Sequence, residues 1–249
     1  LYLRAQSHFH LLTDNDNREA IKLTALALER DPDYAAAAGL MAWLHIQRMV
    51  QGLEPVGEGP KSAVAAAEKV LTSDRADGIA MAYAAHSISM LARDLPRARE
   101  AFKQALAENP NAATVHMLAS MNLFLLDRPR DALEHASQAI VLSPHDPLRH
   151  AAYLVQGCAF FHMGRYEEAA EACRNALAVR SGFVMSHLML IASLGQLDKV
   201  DVAQAAVSEL QALRPEITAS SPQAQMPIFT VPASAENCRE GWLKAGLPQ

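Results

Sequence analysis

The chain has 249 residues, 51% of them hydrophobic, 20% charged and 6% aromatic, with a net charge of −5. So much apolar content at so small a net charge excludes a disordered tail, and a pI near 6.1 implies no basic face for nucleic acid or an anionic membrane. Ala, Leu, Glu, Arg and Gln outnumber the β-branched and aromatic residues, which favours an all-α protein.

In chain order the pattern predicts six helix pairs, over about 1–31, 34–74, 77–109, 112–143, 148–180 and 183–214. The first pair turns at Asp14-Asn15-Asp16-Asn17 and stops before Pro32. The second carries an insertion, 51–60, whose three glycines and two prolines predict a loop. Later turns fall at Arg93-Asp94-Leu95-Pro96, Asp127-Arg128-Pro129 and His162-Met163-Gly164. Beyond Pro215 the chain is irregular through Pro232. A last helix is predicted from Ser234 to Ala245, with Ala235, Cys238, Trp242 and Leu243 as one apolar stripe that caps the preceding pair. The expected division is therefore a helical array over 1–216 and a capping segment over 217–249. No apolar run reaches the roughly 18 residues that span a bilayer. Leu1-Tyr2-Leu3-Arg4 reads neither as an initiator nor as a secretory signal, so the expectation is a piece of a longer polypeptide. Three cysteines, an odd and sparse set, suit a reducing cytoplasmic compartment.

The pairs repeat. Pro110 and Pro144 stand 34 residues apart, as do Ser181 and Pro215. An alanine lies twelve residues before each of these markers (Ala98, Ala132, Ala169 and Ala203), and Ala20 stands likewise before Pro32. A small or apolar residue lies eight before and another five before, and a weaker copy has Ala63, Ala67 and Val70. With these residues the chain resembles the tetratricopeptide repeat (TPR), a 34-residue helix–turn–helix unit. The best copy has Tyr153, Gly157, Phe160, Ala169, Cys173 and Ala176 at the marker positions, while His8, Ala42, His86, Ser120 and Ile191 replace the first-helix glycine elsewhere. The resemblance implies a right-handed superhelical solenoid of about six helix pairs. The opening and closing segments and the insertion also resemble, more loosely, the C-terminal TPR regions of bacterial regulators that carry a nucleotide-cyclase or winged-helix domain upstream.

The family lines its concave groove with first-helix residues. Carried over to this chain, those positions hold Tyr83, Met90, Met117, Met121, Phe124, Leu154, Phe161, Met185 and Leu188, with Ser87, Cys158 and Ala192 among them. The row is apolar and rich in methionine, a side chain that adapts to irregular partners. It reads as a docking groove for a peptide, a helix or an upstream effector domain of the same chain. The other reading is an inner face that is simply core, or one filled by the chain's own C-terminal segment around Met226-Pro227-Ile228-Phe229. The basic and Asn pattern with which some TPR domains clamp a chaperone's terminal carboxylate is absent from these positions.

Catalytic and metal readings find little support. Ten histidines lack metal-site spacing, and no HExxH, CxxC, GxSxG, P-loop or GxGxxG occurs. His116 and His187 fall at a core position of the first helix, where a buried imidazole wants a hydrogen-bond partner. Glu167-Glu168 opens a helix, where carboxylates meet the positive dipole end. The expectation is thus a non-catalytic, cytoplasmic interaction or regulatory module, with no cofactor, metal, nucleic acid or membrane partner. The alternative is a small-molecule sensor or enzyme that uses the groove as a pocket.

Overall fold

A computed structural model describes residues 1–11, 13–50, 58–221 and 229–249. Among the described residues there are thirteen α-helices, one π-helical turn and no strand. The chain forms two compact units, Leu1–Asn122 and Leu123–Gln249.

The first unit holds α1 (Tyr2–Phe9), α2 (Asp14–Arg30), α3 (Ala35–Val50), α4 (Glu58–Leu71), α5 (Gly78–Ser87), a π turn (Ile88–Ala92), α6 (Leu95–Glu108) and most of α7 (Ala113–Leu125). The second holds the end of α7, α8 (Pro129–Leu142), α9 (Arg149–His162), α10 (Tyr166–Val179), α11 (Val184–Gln196), α12 (Val200–Leu213) and α13 (Pro232–Lys244).

Local chemistry explains the boundaries. The Asp14–Asn17 cluster, expected as a turn, is instead the first turn of α2. Thr13 Oγ1 accepts from Asp16 N at 3.1 Å, and the acidic side chains sit at the positive end of the helix dipole. Asp77 and Asp94 cap α5 and α6 in the same way. Of the insertion expected as a loop, Glu58-Gly59-Pro60 forms the first turn of α4, where an N–H has no intrahelical partner and proline is tolerated. Residues 51–57 lie outside the described residues.

The repeat register is visible in the packing. Ala20, Ala63, Ala98, Ala132, Ala169 and Ala203 are all buried where the second helix of each pair meets its neighbours. Only a methyl group fits such a close approach, and a longer side chain forces the helices apart. In the last four pairs the residue ending the inter-helix turn is left-handed: Arg93, Asp127, Gly164 and Asp198. In the last three of these, an N–H just beyond it bonds back to the first helix (Arg128 to Leu123 O, Arg165 to Phe160 O, Lys199 to Leu194 O), closing a Schellman-type end. Glycine takes this conformation without a Cβ penalty, yet only one of the four positions has it.

The terminal helix corrects the expected stripe. Its buried residues are Ser234, Cys238, Gly241 and Trp242, with Ala245 buried just beyond its end, whereas Ala235 is exposed and Leu243 is 37% exposed. The reason is rotation: successive helical residues turn by about 100°. Once Gly241 and Trp242 face α11, Leu243 is carried outward. Gly241 packs against Ala192 and Gly195 of α11, and a Cβ on Gly195 or Gly241 would run into the backbone of the opposite helix.

Candidate partner-binding surface

In the first unit Tyr83 and Met117 are buried, while Met90 and Met121 are half-buried. Tyr83 belongs to an aromatic run. Its ring centroid lies 4.7 Å from that of Trp43, which lies 4.6 Å from Phe9 and 6.4 Å, edge-on, from His86. Phe9 and Trp43 were not singled out in the sequence, although each directly follows the position occupied by His8 and Ala42. Met90 falls in the π turn, so the α-helical spacing that assigned it to the row does not hold there. His86 is buried with Nδ1 unbonded, and burial pushes its pKa down to about 4, so the ring is neutral.

In the second unit Phe124, Leu154, Phe161, Met185 and Leu188 are all buried. The chain's own C-terminal segment meets three of them. The Phe229 ring lies 5.5 Å from Phe124 and 5.7 Å from Phe161, and Trp242 Nε1 donates to Leu188 O at 2.7 Å. Met226, Pro227 and Ile228 lie outside the described residues.

A polar chain flanks this contact and was not legible in the sequence. His162 Nε2 lies 3.0 Å from Asp127 Oδ1, and its Nδ1 lies 2.8 Å from Ser234 Oγ. The residue types are those of a hydrolase triad. A serine nucleophile, however, must meet its substrate, and Ser234 is 7% exposed. The arrangement instead ties the start of α13 to the turn between α7 and α8.

The remaining candidates behave as packing residues. The Nε2 of His187 bonds to Ser181 O at 2.7 Å, and that of His116 bonds to Pro110 O at 2.9 Å, each six residues back. A carbonyl only accepts, so Nε2 carries the proton in both rings. Cys158, Cys173 and Cys238 are buried free thiols. Burial pushes Cys158 up to about 12 and the other two well above their ordinary value, so none is a ready nucleophile. Among the described residues no group of three or more His, Cys, Asp or Glu could hold a metal ion, and no helix is long and apolar enough to cross a membrane.

The tetratricopeptide-repeat family model matches residues 92–147 and 123–182. Among solved structures, the chain is similar to the APC/C hetero-tetramer Cut9-Hcn1, with a TM-score of 0.65 and 14% identity over 90% of this chain. It spans only 40% of that chain's length. It is similar to PilW, a widely conserved type IV pilus biogenesis factor, with a TM-score of 0.61 and 20% identity over 82% of this chain and 90% of that one. It is also similar to TTC0263, a thermophilic TPR protein of Thermus thermophilus, with a TM-score of 0.57 and 18% identity over 72% and 92%. Identities this low establish the fold alone. No curated protein matches the chain by sequence.

Proposed function

We propose that this chain, whose residues 92–182 match the tetratricopeptide-repeat model and whose helices have the fold of solved TPR structures, is a non-catalytic regulatory module that holds an apolar peptide, helix or effector domain against the inner row of its first helices. Repeats of this class generally mediate protein–protein interaction and are generally scaffolds rather than catalysts. The proposed contacts are Tyr83, Met90, Met117 and Met121 in the first unit, and Phe124, Leu154, Phe161, Met185 and Leu188 in the second. The observation that carries the reading is Phe229, an apolar side chain from outside the repeats that packs against Phe124 and Phe161. Contacts of this kind draw on apolar burial, at about 25 cal/mol per Å² before ordering costs, and depend weakly on salt. A signalling role in a bacterial cytoplasm, with an upstream domain of the same polypeptide as partner, belongs to the same proposal.

Met90 and Met121 are the half-buried members of the row and so the ones to probe. A photo-crosslinking residue at either position should capture a discrete protein or peptide partner in cells. Crosslinks formed only from an outer position such as Val141, which is 73% exposed, would sink the assignment.

A further inference from the structure

The inner row of the second unit has an occupant, and its chemistry describes what else fits. α13 lies on α11 at the first-helix positions assigned to ligand contact. Trp242 bonds to Leu188 O, and Gly241 rests against Ala192 and Gly195 with no side chain between the two backbones. Thirteen residues before Trp242, Phe229 meets Phe124 and Phe161. The contact has the anatomy of an interface. Its centre is Cys238, Gly241, Trp242 and Ala245, all buried. Its rim is polar: Gln196 donates to Asn237 O, Ser234 meets His162, and Lys244 lies 3.8 Å from Asp198. Lys244 also pairs with Glu240 at this rim, and Arg239 pairs with Glu236 along the helix. A buried centre within a polar rim is compatible with a helix that docks on a finished surface.

We infer that α13 and Phe229 are a built-in ligand, and that a partner helix of the same pattern takes their place: an aromatic residue, then an amphipathic helix with a small residue and a tryptophan side by side. The inference rests on the interaction-module reading and names the partner's chemistry. The small residue is required because the α11 backbone at Ala192 and Gly195 leaves no room for a Cβ. The tryptophan combines a large apolar body, buried here, with an N–H that reaches the Leu188 carbonyl, whose helical hydrogen bond leaves one lone pair free. A ligand tethered in cis acts at an effective concentration of roughly millimolar, so a partner in trans competes only when it binds tightly or when α13 is loosened.

The test uses the full chain and a fluorescent synthetic peptide of residues 229–249. In the chain carrying Gly241→Leu and Trp242→Ala, α13 should leave its seat, read as alkylation of Cys238 by iodoacetamide, a thiol buried in the unaltered chain. The peptide should then bind at least about 100-fold more tightly than it binds the unaltered chain, and a peptide with the same two substitutions should not bind. Two results overturn the inference. In one, Cys238 stays protected in the variant, making α13 a fixed part of the fold. In the other, Cys238 becomes reactive while the peptide fails to bind or binds without regard to its Gly-Trp pair. A second measurement needs no variant. By native-state hydrogen exchange, α13 amides of the unaltered chain should exchange at least about tenfold faster than those of α11, and equal protection also overturns the inference. The crosslinking test at Met90 and Met121 addresses the other unit, so failure of the broader reading is told apart from failure of this one.

Discussion

The two units treat the same repeat positions differently. In the first, Phe9, Trp43, Tyr83 and His86 fill the inner row with side chains from the repeats themselves, and the first-helix position that takes glycine in the family holds His8, Ala42, His86 and Ser120. In the second, Phe124, Phe161 and Leu188 are met by residues from beyond the repeats, Phe229 and Trp242. One repeat architecture thus supports a self-packed inner face and a face covered by a terminal segment. What separates them is which side chains lie at the row, those of the repeats or those of the segment after them.

The largest expected effect tests that contrast directly. The chain has two tryptophans, Trp43 and Trp242, one in each unit. Trp43→Ala should cost about 3–5 kcal/mol in a urea melt, because it opens a cavity in packed core. Trp242→Ala should cost clearly less, because local release of α13 relieves the cavity. Equal losses would erase the distinction between core and cover. Next in size, Ala169→Leu and Ala98→Leu should each destabilise by about 1–3 kcal/mol through overpacking, one in each unit. Unchanged melts would show that the repeat register is misassigned.

The two units should also share an acid sensitivity. Burial pushes His86 down to about 4, and burial, with Arg180 and Arg149 as lesser causes, pushes His150 down to about 4. A folded pKa below the unfolded value of about 6.5 means that the unfolded chain binds more protons between those limits. Stability is therefore full above about pH 6.5 and falls as the pH drops toward 4, by about 2 kcal/mol for each ring at pH 5. Urea melts at pH 7 and pH 5, followed through Trp43 in the Trp242→Phe chain, should show this loss, and His86→Leu should remove its share in the first unit. A His86→Leu chain with an unaltered pH dependence would refute the assignment. The smallest effect is at the turns. Arg93→Gly in the first unit should stabilise by up to about 1 kcal/mol, because the residue holds a left-handed conformation, and Asp198→Gly in the second should gain less, because it also removes the Lys244 ion pair. A loss on either substitution would mean that the replaced side chain has a role the backbone does not express.

The all-α class, the helix pairs and the repeat register were determined by the sequence alone. The alanines at the close-packed positions and the capping residues at the helix starts act over a single turn or a single helix pair, and their spacing survives in one dimension. The docking of a tryptophan near the chain's end was legible too, since Trp242 stood out as an apolar residue on the last helix. Which neighbours of Trp242 face inward was not, because it depends on where Gly241 meets Gly195. The tertiary structure alone decided what lies over the second unit's inner row. Leu188 and Trp242 are 54 residues apart and His162 and Ser234 are 72 apart, with no period connecting them. Such contacts follow from the path of the chain after the last repeat. Local propensity and periodicity do not encode that path, and burial of the apolar row selects it only once the repeats have stacked.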